Sequence, residues 1–156
     1  MYVHLEHGAT AVKLLGQMAI MAALLGLSAF LSGSETAFFN LSLRQRQQLR
    51  KSAHSLHQLT ARISDNPRYL LGCLLLGNMT VNVFFFATAS TFALAVKNKW
   101  GLSAAAAATI ACLFAIILFG EILPKALAYQ NSRAVSIAAA LPLALILRIL
   151  GPLQSV

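Results

Sequence analysis

Charged side chains are scarce in this chain. Only 10% of its 156 residues are Asp, Glu, Lys or Arg, whereas 58% are hydrophobic. A soluble domain of this size carries about a quarter charged residues, most of them on its wetted surface. The composition therefore excludes an ordinary soluble fold and indicates a protein that lies in a lipid bilayer.

Acids are the scarcest charged type, with 4 Asp and Glu against 12 Lys and Arg and a net charge of +8. Such an excess of base is found in nucleic-acid-binding proteins. Here the basic residues lie beside long apolar runs, where the orientation of membrane segments explains them more simply. We expect the partner of these basic residues to be the lipid bilayer and not nucleic acid.

Cysteine and histidine are few and poorly placed for chemistry in the membrane. Cys73 and Cys112 lie in separate apolar runs and form no CxxC pair, which argues against a zinc or redox centre. The four histidines all lie outside the apolar runs, which argues against zinc or copper between them. An intramembrane serine hydrolase would also lack its base. We expect no enzymatic activity.

Three uncharged runs are long enough to cross about 30 Å of hydrocarbon as helices, which takes about 20 residues. They are residues 14–34, 69–96 and 100–120. A fourth run, residues 134–147, is shorter and contains Pro142. It predicts a helix lying at the membrane interface, with a short tilted span as the alternative.

The basic residues are concentrated between the first two runs. Residues 40–68 hold six of the 12 Lys and Arg and a single acid. The positive-inside rule places this segment in the cytoplasm, the N-terminus outside and, with three spans, the C-terminus inside. Apolar residues recur at helical spacing from Leu49 to Ile63, which predicts an amphipathic helix on the inner surface.

Polar residues inside the first run carry the strongest functional signal. Ser28, Ser32 and Glu35 are spaced i, i+4 and i+7, so they share one helical face. Gly33 either breaks this helix or admits another backbone, and either outcome frees a carbonyl oxygen. The alternative is that the serines bond the carbonyls of their own helix.

The second run contributes Asn78 and Asn82, which again share a face at i, i+4. An amide oxygen is a neutral hard ligand for a cation. The same amide also joins two helices by hydrogen bonding, and the sequence leaves both roles open.

The third run ends in the segment FGEILPKA, residues 119–126. Pro124 has no N–H, so the carbonyl of Gly120 loses its usual helical partner beside Glu121. An ion pair between Glu121 and Lys125 is the alternative role of this acid.

These groups predict a cation site formed by three helices near the inner leaflet. One or two carboxylates with neutral oxygens suit a hard cation such as Mg²⁺, which takes about six oxygen ligands. The oxygen-bearing side chains are Ser28, Ser32, Glu35, Asn78, Asn82 and Glu121.

At three motifs the chain resembles the membrane domain of the CorC/CNNM (cyclin M-like) family of magnesium transporters. The motifs are LSGSETAFF from Leu31, NPRYLLGCLLLGNMTVN from Asn66 and FGEILPKALA from Phe119. They stand in the family's order, and the resemblance covers practically all of residues 1–156. It implies an all-α homodimer with three transmembrane helices and a belt of juxtamembrane helices that includes residues 134–150.

The resemblance also implies a site and a function. The Mg²⁺ ligands would be Ser28, Ser32, Asn78 and Glu121, with a backbone oxygen near Gly33. A second shell or gate would be formed by Glu35, Asn82, Pro124 and Lys125. The implied function is Mg²⁺ efflux across the cell (inner) membrane with Na⁺ as the proposed counter-ion. The alternative is a non-transporting scaffold or Mg²⁺ sensor that regulates other transporters. Relatives continue into a cytoplasmic CBS-pair domain that binds ATP.

Overall fold

A computed structural model of the protein describes the backbone of residues 2–150 and the side chains of residues 12–148. Within residues 2–150 the secondary structure is helical and contains no strand, so the predicted all-α class is confirmed. The elements in chain order are α1 (Tyr2–Phe39), α2 (Leu43–Lys51), α3 (Ser55–Ile63), α4 (Pro67–Trp100), α5 (Leu102–Ala115), a π-helical segment (Ile116–Ile122), α6 (Leu123–Gln130) and α7 (Ser132–Leu150). The side chains of His4 and His7, and the final residues up to Val156, lie outside the described part.

Three helices of the described part are long and apolar enough to cross a membrane, as predicted. They are Val12–Phe39, Pro67–Trp100 and Leu102–Gln130, with mean hydropathies of 2.0, 1.9 and 2.5. Only 11–28% of their most apolar stretches is buried inside the chain. The rest of this apolar surface needs lipid or another protein surface to cover it.

The third span runs beyond its predicted end at residue 120. It continues from α5 through the π-helical segment into α6 and ends at Gln130. The sequence-based boundary was set by the first charged residue, Glu121. That boundary was wrong because Glu121 is partly buried against α4 and hydrogen-bonded there, so its charge does not end the helix.

The basic segment between the first two spans forms two helices, and the prediction of a single amphipathic helix through it was wrong. Helix α2 begins with a capping box, in which Ser42 and Gln45 each accept a hydrogen bond from the other's backbone N–H. The chain then turns at Ser52, which is extended and whose hydroxyl accepts the N–H of His54 and contacts His57 Nδ1 at 2.8 Å. These local bonds replace the helical ones, so α2 and α3 form a hairpin.

Helix α4 begins close to where the sequence predicts. Asn66 is its N-cap and Pro67 occupies the first turn, although the Asn66 side chain makes no capping hydrogen bond. Pro67 is tolerated there because the first N–H groups of a helix have no intrahelical acceptor.

The main core joins α7 and the hairpin to the first two spans. Phe38 of α1, Leu49 of α2, Leu74 of α4 and Leu143 of α7 are all at most 1% exposed and belong to one buried cluster. The Tyr69 hydroxyl also donates to the carbonyl of Leu147 at 3.1 Å. Helix α7 is therefore packed on the bundle. Whether it lies at the interface or crosses the membrane stays a prediction.

Candidate cation site

Helix α1 places two buried hydroxyl groups against its neighbours. Ser28 and Ser32 are both 0% exposed. Ser28 Oγ lies 3.1 Å from Asn78 Oδ1 and 2.9 Å from Asn82 Oδ1, both on α4. The Ser28 hydroxyl thus contacts a neighbouring helix, whereas the alternative had it bonded to its own backbone.

Three hydroxyl side chains of α4 bond their own helix, which was the alternative role for the serines of α1. Thr80, Thr88 and Ser90 each donate to the carbonyl four residues before them, at 2.8–2.9 Å. This bonding is the usual behaviour of Ser and Thr in membrane helices. Ser28 and Ser32 of α1 instead contact groups on other elements.

Asn82 connects the cluster to the third span. Its Nδ2 donates to Glu121 Oε1 at 3.0 Å, while its Oδ1 faces Ser28. A continuous polar chain therefore runs from α1 through α4 to the π-helical segment. The structure brings Ser28, Asn78, Asn82 and Glu121 together, and Asn82, expected outside the ligand set, lies at the centre of this chain.

Ser28 has only one proton to donate to two neighbouring amide oxygens. A hydroxyl carries one proton, yet Ser28 Oγ approaches two amide oxygens within hydrogen-bond distance. The orientation of Asn82 is set by its Nδ2 bond to Glu121. Either the Asn78 amide turns and donates through its nitrogen, or a cation occupies the place of the missing proton. Because an amide oxygen and nitrogen occupy equivalent positions, the geometry fits both solutions.

A π-helical segment presents Glu121 to α4. The N–H of Leu123 bonds the carbonyl of Leu118, five residues back, and the following residue, Pro124, has no N–H to continue the pattern. Single π-helical turns are rare and occur frequently at functional sites. Helical periodicity does not predict this segment, and Gly120 and Pro124 on either side of Glu121 are the only signal of it in the sequence around that acid.

Gly120 permits the close approach of the third span to Ser28. A Cβ atom added at Gly120 would lie 3.1 Å from Ser28 Oγ and 3.0 Å from Ile116 Cδ1. Both distances are tighter than ordinary van der Waals contact. Only a residue without a side chain fits here without displacing the Ser28 hydroxyl.

Ser32 and Gly33 hold α1 against the turn that follows Glu121. Ser32 Oγ lies 3.5 Å from the carbonyl oxygen of Glu121. A Cβ atom at Gly33 would meet Pro124 Cβ and Pro124 O at 3.5 Å, and α1 stays helical through this position. Of the two roles predicted for Gly33, the structure shows the close backbone approach.

Glu35 and Lys125 form an ion pair of their own, with Lys125 Nζ 3.7 Å from Glu35 Oε2. Glu121 instead accepts a hydrogen bond from Asn82. The alternative pairing of Glu121 with Lys125 is therefore not what the structure shows. Lys125 neutralises Glu35, and Glu121 is the acid of the polar cluster.

The donor set is that of a hard cation. The part of the chain that the structure describes holds no group of three or more His, Cys, Asp or Glu side chains able to bind a metal ion. A cation held here would rest on one carboxylate with hydroxyl, amide and backbone oxygens. Mg²⁺ is commonly bound by one or two carboxylates while it keeps several waters.

The cluster lies within the predicted spans. Ser28 and Asn82 are well inside the first and second spans, and Glu121 lies towards the end of the third. A polar cluster inside membrane spans is costly unless its groups are paired or functional.

Comparison with known proteins identifies the family. The sequence profile described as "Cyclin M transmembrane N-terminal domain" matches residues 19–156. The chain belongs to the cyclin M family. The matched residues include the whole polar cluster, the second and third spans of this cyclin M domain, and the first span from residue 19 onward.

Curated relatives of this cyclin M domain come from plants and bacteria. A chloroplastic DUF21 domain-containing protein of Arabidopsis thaliana is 34% identical over 88% of this chain and 20% of its own length. A UPF0053 protein of Haemophilus influenzae is 29% identical over 86% of the chain and 31% of its length. The UPF0053 inner membrane protein YfjD of Escherichia coli is 28% identical over 65% of the chain and 23% of its length. The cyclin M domain thus spans about a fifth to a third of the relatives it matches.

Proposed function

We propose that this cyclin M domain carries Mg²⁺ across the cell membrane, from the cytoplasm to the outside. The observation that supports the proposal best is the partly buried cluster in which Ser28, Asn82 and Glu121 join three membrane helices through oxygen-bearing side chains. The proposal involves movement of an ion without making or breaking a covalent bond, and so no enzymatic activity.

In the proposed mechanism Mg²⁺ enters from the cytoplasm and exchanges part of its water shell for protein oxygens. Ser28, Ser32, Asn78 and Glu121 supply them, with a backbone oxygen near Gly33. Glu121 provides the negative charge, because the other side-chain ligands are neutral. Asn82 holds Glu121 in place through its Nδ2 bond.

Release to the outside then requires α1 and α6 to separate or slide where Gly33 packs on Pro124. The Glu35–Lys125 pair joins the same two helices and would act as part of the gate. Na⁺ moving inward by exchange would supply the energy. These steps follow the alternating-access scheme of secondary transporters.

The proposed assembly is a homodimer in the cell (inner) membrane, with the N-terminus outside and the C-terminus in the cytoplasm. Large apolar side chains along all three spans are exposed in the single chain, among them Met79, Phe84 and Phe114 at 59–67%. Lipid and a second copy would cover them. A cytoplasmic ATP-binding CBS-pair domain is the proposed further partner.

A second candidate function is a Mg²⁺ sensor or scaffold that regulates other transporters. One observation favours it: the side chains of the cluster already hydrogen-bond one another across three helices. A cation that enters would replace these bonds and change how the spans pack, with or without transport.

Flux measurements test the proposal. Purified protein in liposomes that contain a Mg²⁺-sensitive dye should move Mg²⁺, and Glu121→Gln should lower the rate about tenfold or more, since bonds to charged groups contribute about 1.5–3 kcal/mol. Ser28→Ala should also impair flux. Ser90→Ala is the matched control, because Ser90 bonds its own helix, and it should leave flux unchanged.

The results of these measurements distinguish a Mg²⁺ transporter from a Mg²⁺ sensor. If the wild-type protein shows no flux but is stabilised by Mg²⁺, and Glu121→Gln removes that stabilisation, the sensor is supported and the transporter is rejected. If neither flux nor stability responds to Mg²⁺, both candidates are rejected.

A further inference from the structure

The inner end of the bundle presents basic side chains that nothing in the described chain neutralises. We name Arg44, Lys51, Arg62 and Arg68 the basic rim. All four are exposed and lie on the α2–α3 hairpin or in the first turn of α4. Within residues 12–148 none of them forms an ion pair or a side-chain hydrogen bond.

The other two arginines of this region have partners inside the protein. Arg50 pairs with Asp65 at 2.7 Å. Arg46 donates to the carbonyls of Phe38 and Ser64 at 3.3 Å, which fastens α2 to the last turn of α1. The basic rim therefore comprises the basic residues of this region that have no partner among the described side chains.

Two members of the rim stand where a positive charge disfavours its own helix. Arg44 is the second residue of α2 and Arg68 is the second residue of α4, and neither first turn contains an acid. The helix dipole is positive at the N-terminus, so these arginines weaken the helices that carry them. An anion outside the chain would reverse this effect, because the arginine and the helix N-terminus would then both attract it.

Apolar side chains beside the rim indicate where that anion lies. Leu43 is 78% exposed next to Arg44, and Leu56 on α3 is 40% exposed. The bonds of Arg46 to Phe38 and Ser64 hold the hairpin at the level where α1 leaves the span. Basic residues next to exposed leucines at this level match the boundary between headgroups and acyl chains.

We propose that the basic rim binds anionic phospholipid headgroups of the leaflet at this end of the spans. Arginine donates two parallel N–H groups to a phosphate, and the leucines enter the acyl boundary. The inference does not depend on Mg²⁺ transport. A failure of either proposal therefore leaves the other standing.

Lipid titration of the purified, delipidated protein tests the proposal. The wild-type protein is titrated in detergent at low ionic strength with phosphatidylglycerol or with phosphatidylcholine of the same acyl chains. Bound lipid is counted by native mass spectrometry and thermal stability is recorded. We expect tighter binding of phosphatidylglycerol, and the double variant Arg44→Gln/Arg68→Gln should weaken it about 25-fold, at about fivefold for each basic residue near an anionic surface.

Three comparisons make the result specific. Lys97→Gln/Lys99→Gln removes the same charge at the opposite end of α4 and should keep most of the phosphatidylglycerol preference. Arg44→Lys/Arg68→Lys should also keep it, since the positive charge remains. In phosphatidylcholine the Gln variant should be as stable as the wild type or slightly more stable, because it removes two charges from helix N-termini.

The proposal is overturned by equal binding of the two lipids, which would leave an acidic protein segment as the occupant of the rim. Retention of the phosphatidylglycerol preference in Arg44→Gln/Arg68→Gln would overturn it as well. A loss of stability in both lipids would assign the arginines a purely structural role and would also contradict the proposal.

Discussion

Gly120 shows how one missing side chain shapes the candidate site. Its Cα faces Ser28 so closely that a methyl group would lie 3.1 Å from the serine oxygen. The glycine is buried within the π-helical segment, next to Glu121. The close approach of the third span to Ser28 therefore depends on this residue.

We expect Gly120→Ala to disturb the cluster while the protein still folds. The added methyl should cost about 1–3 kcal/mol by overpacking and should lower Mg²⁺ affinity or flux about tenfold. Gly26→Ala is the matched control, since nothing lies within 4 Å of a Cβ at that position. Thermal unfolding and flux measured on both variants check this. Equal behaviour of the two would show that the close approach at Gly120 is not needed.

Asn82 is a residue whose neighbours could not be assigned from the sequence. It shares a helical face with Asn78, and spacing alone cannot say which of the two meets the neighbouring spans. In the structure Asn78 contacts Ser28, whereas Asn82 contacts both Ser28 and Glu121. The rotation of α4 about its axis decides this, and that rotation depends on packing against α1.

Among the elements, α1 and α6 pack along a broad contact that includes one ion pair and the approach of Gly33 to Pro124. Glu35 and Lys125 are 3.7 Å apart with side chains 21% and 45% exposed, and Gly33 packs on Pro124 beside this pair. Ion pairs with such access to solvent usually contribute about 0–1 kcal/mol. The pair is therefore poorly suited to hold the fold and better suited to a contact that opens.

A double-mutant cycle separates these roles. We expect Glu35→Gln and Lys125→Gln to show a coupling in unfolding free energy of about 0.5 kcal/mol. Their effect on Mg²⁺ flux should exceed the factor that this energy explains, which is about twofold. A coupling above about 2 kcal/mol would assign the pair to structure, and unchanged flux in both single variants would remove it from the gate.

For the whole molecule the orientation in the membrane is the main untested prediction. The hairpin and its basic rim should face the cytoplasm, and Lys97, at the other end of α4, should face outward. Helix α7 packs on α1, α3 and α4 through Ala140 and Leu143, and its Arg148 is exposed. If α7 lies at the inner interface, Arg148 should be on the same side as the hairpin.

Single-cysteine labelling checks this in a Cys73→Ala/Cys112→Ala background. A membrane-impermeant maleimide should label Lys97→Cys in intact cells, and should label Lys51→Cys and Arg148→Cys only after permeabilisation. Labelling of Arg148→Cys from outside would mean that α7 crosses the membrane. Labelling of Lys51→Cys from outside would reverse the whole topology.

Composition and charge placement alone showed that the chain lies in a lipid bilayer, that it is helical and that it has three spans. A bilayer admits long apolar helices because their backbone groups are satisfied within the segment. The motifs around Ser28, Asn78 and Glu121 also marked the polar residues that converge. The break of the basic segment at Ser52, the π-helical turn, the pairing of Lys125 with Glu35 and the central place of Asn82 were decided by the tertiary structure. Each depends on which helix faces which and at what rotation, and a 3.6-residue periodicity in one segment carries no information about its neighbours.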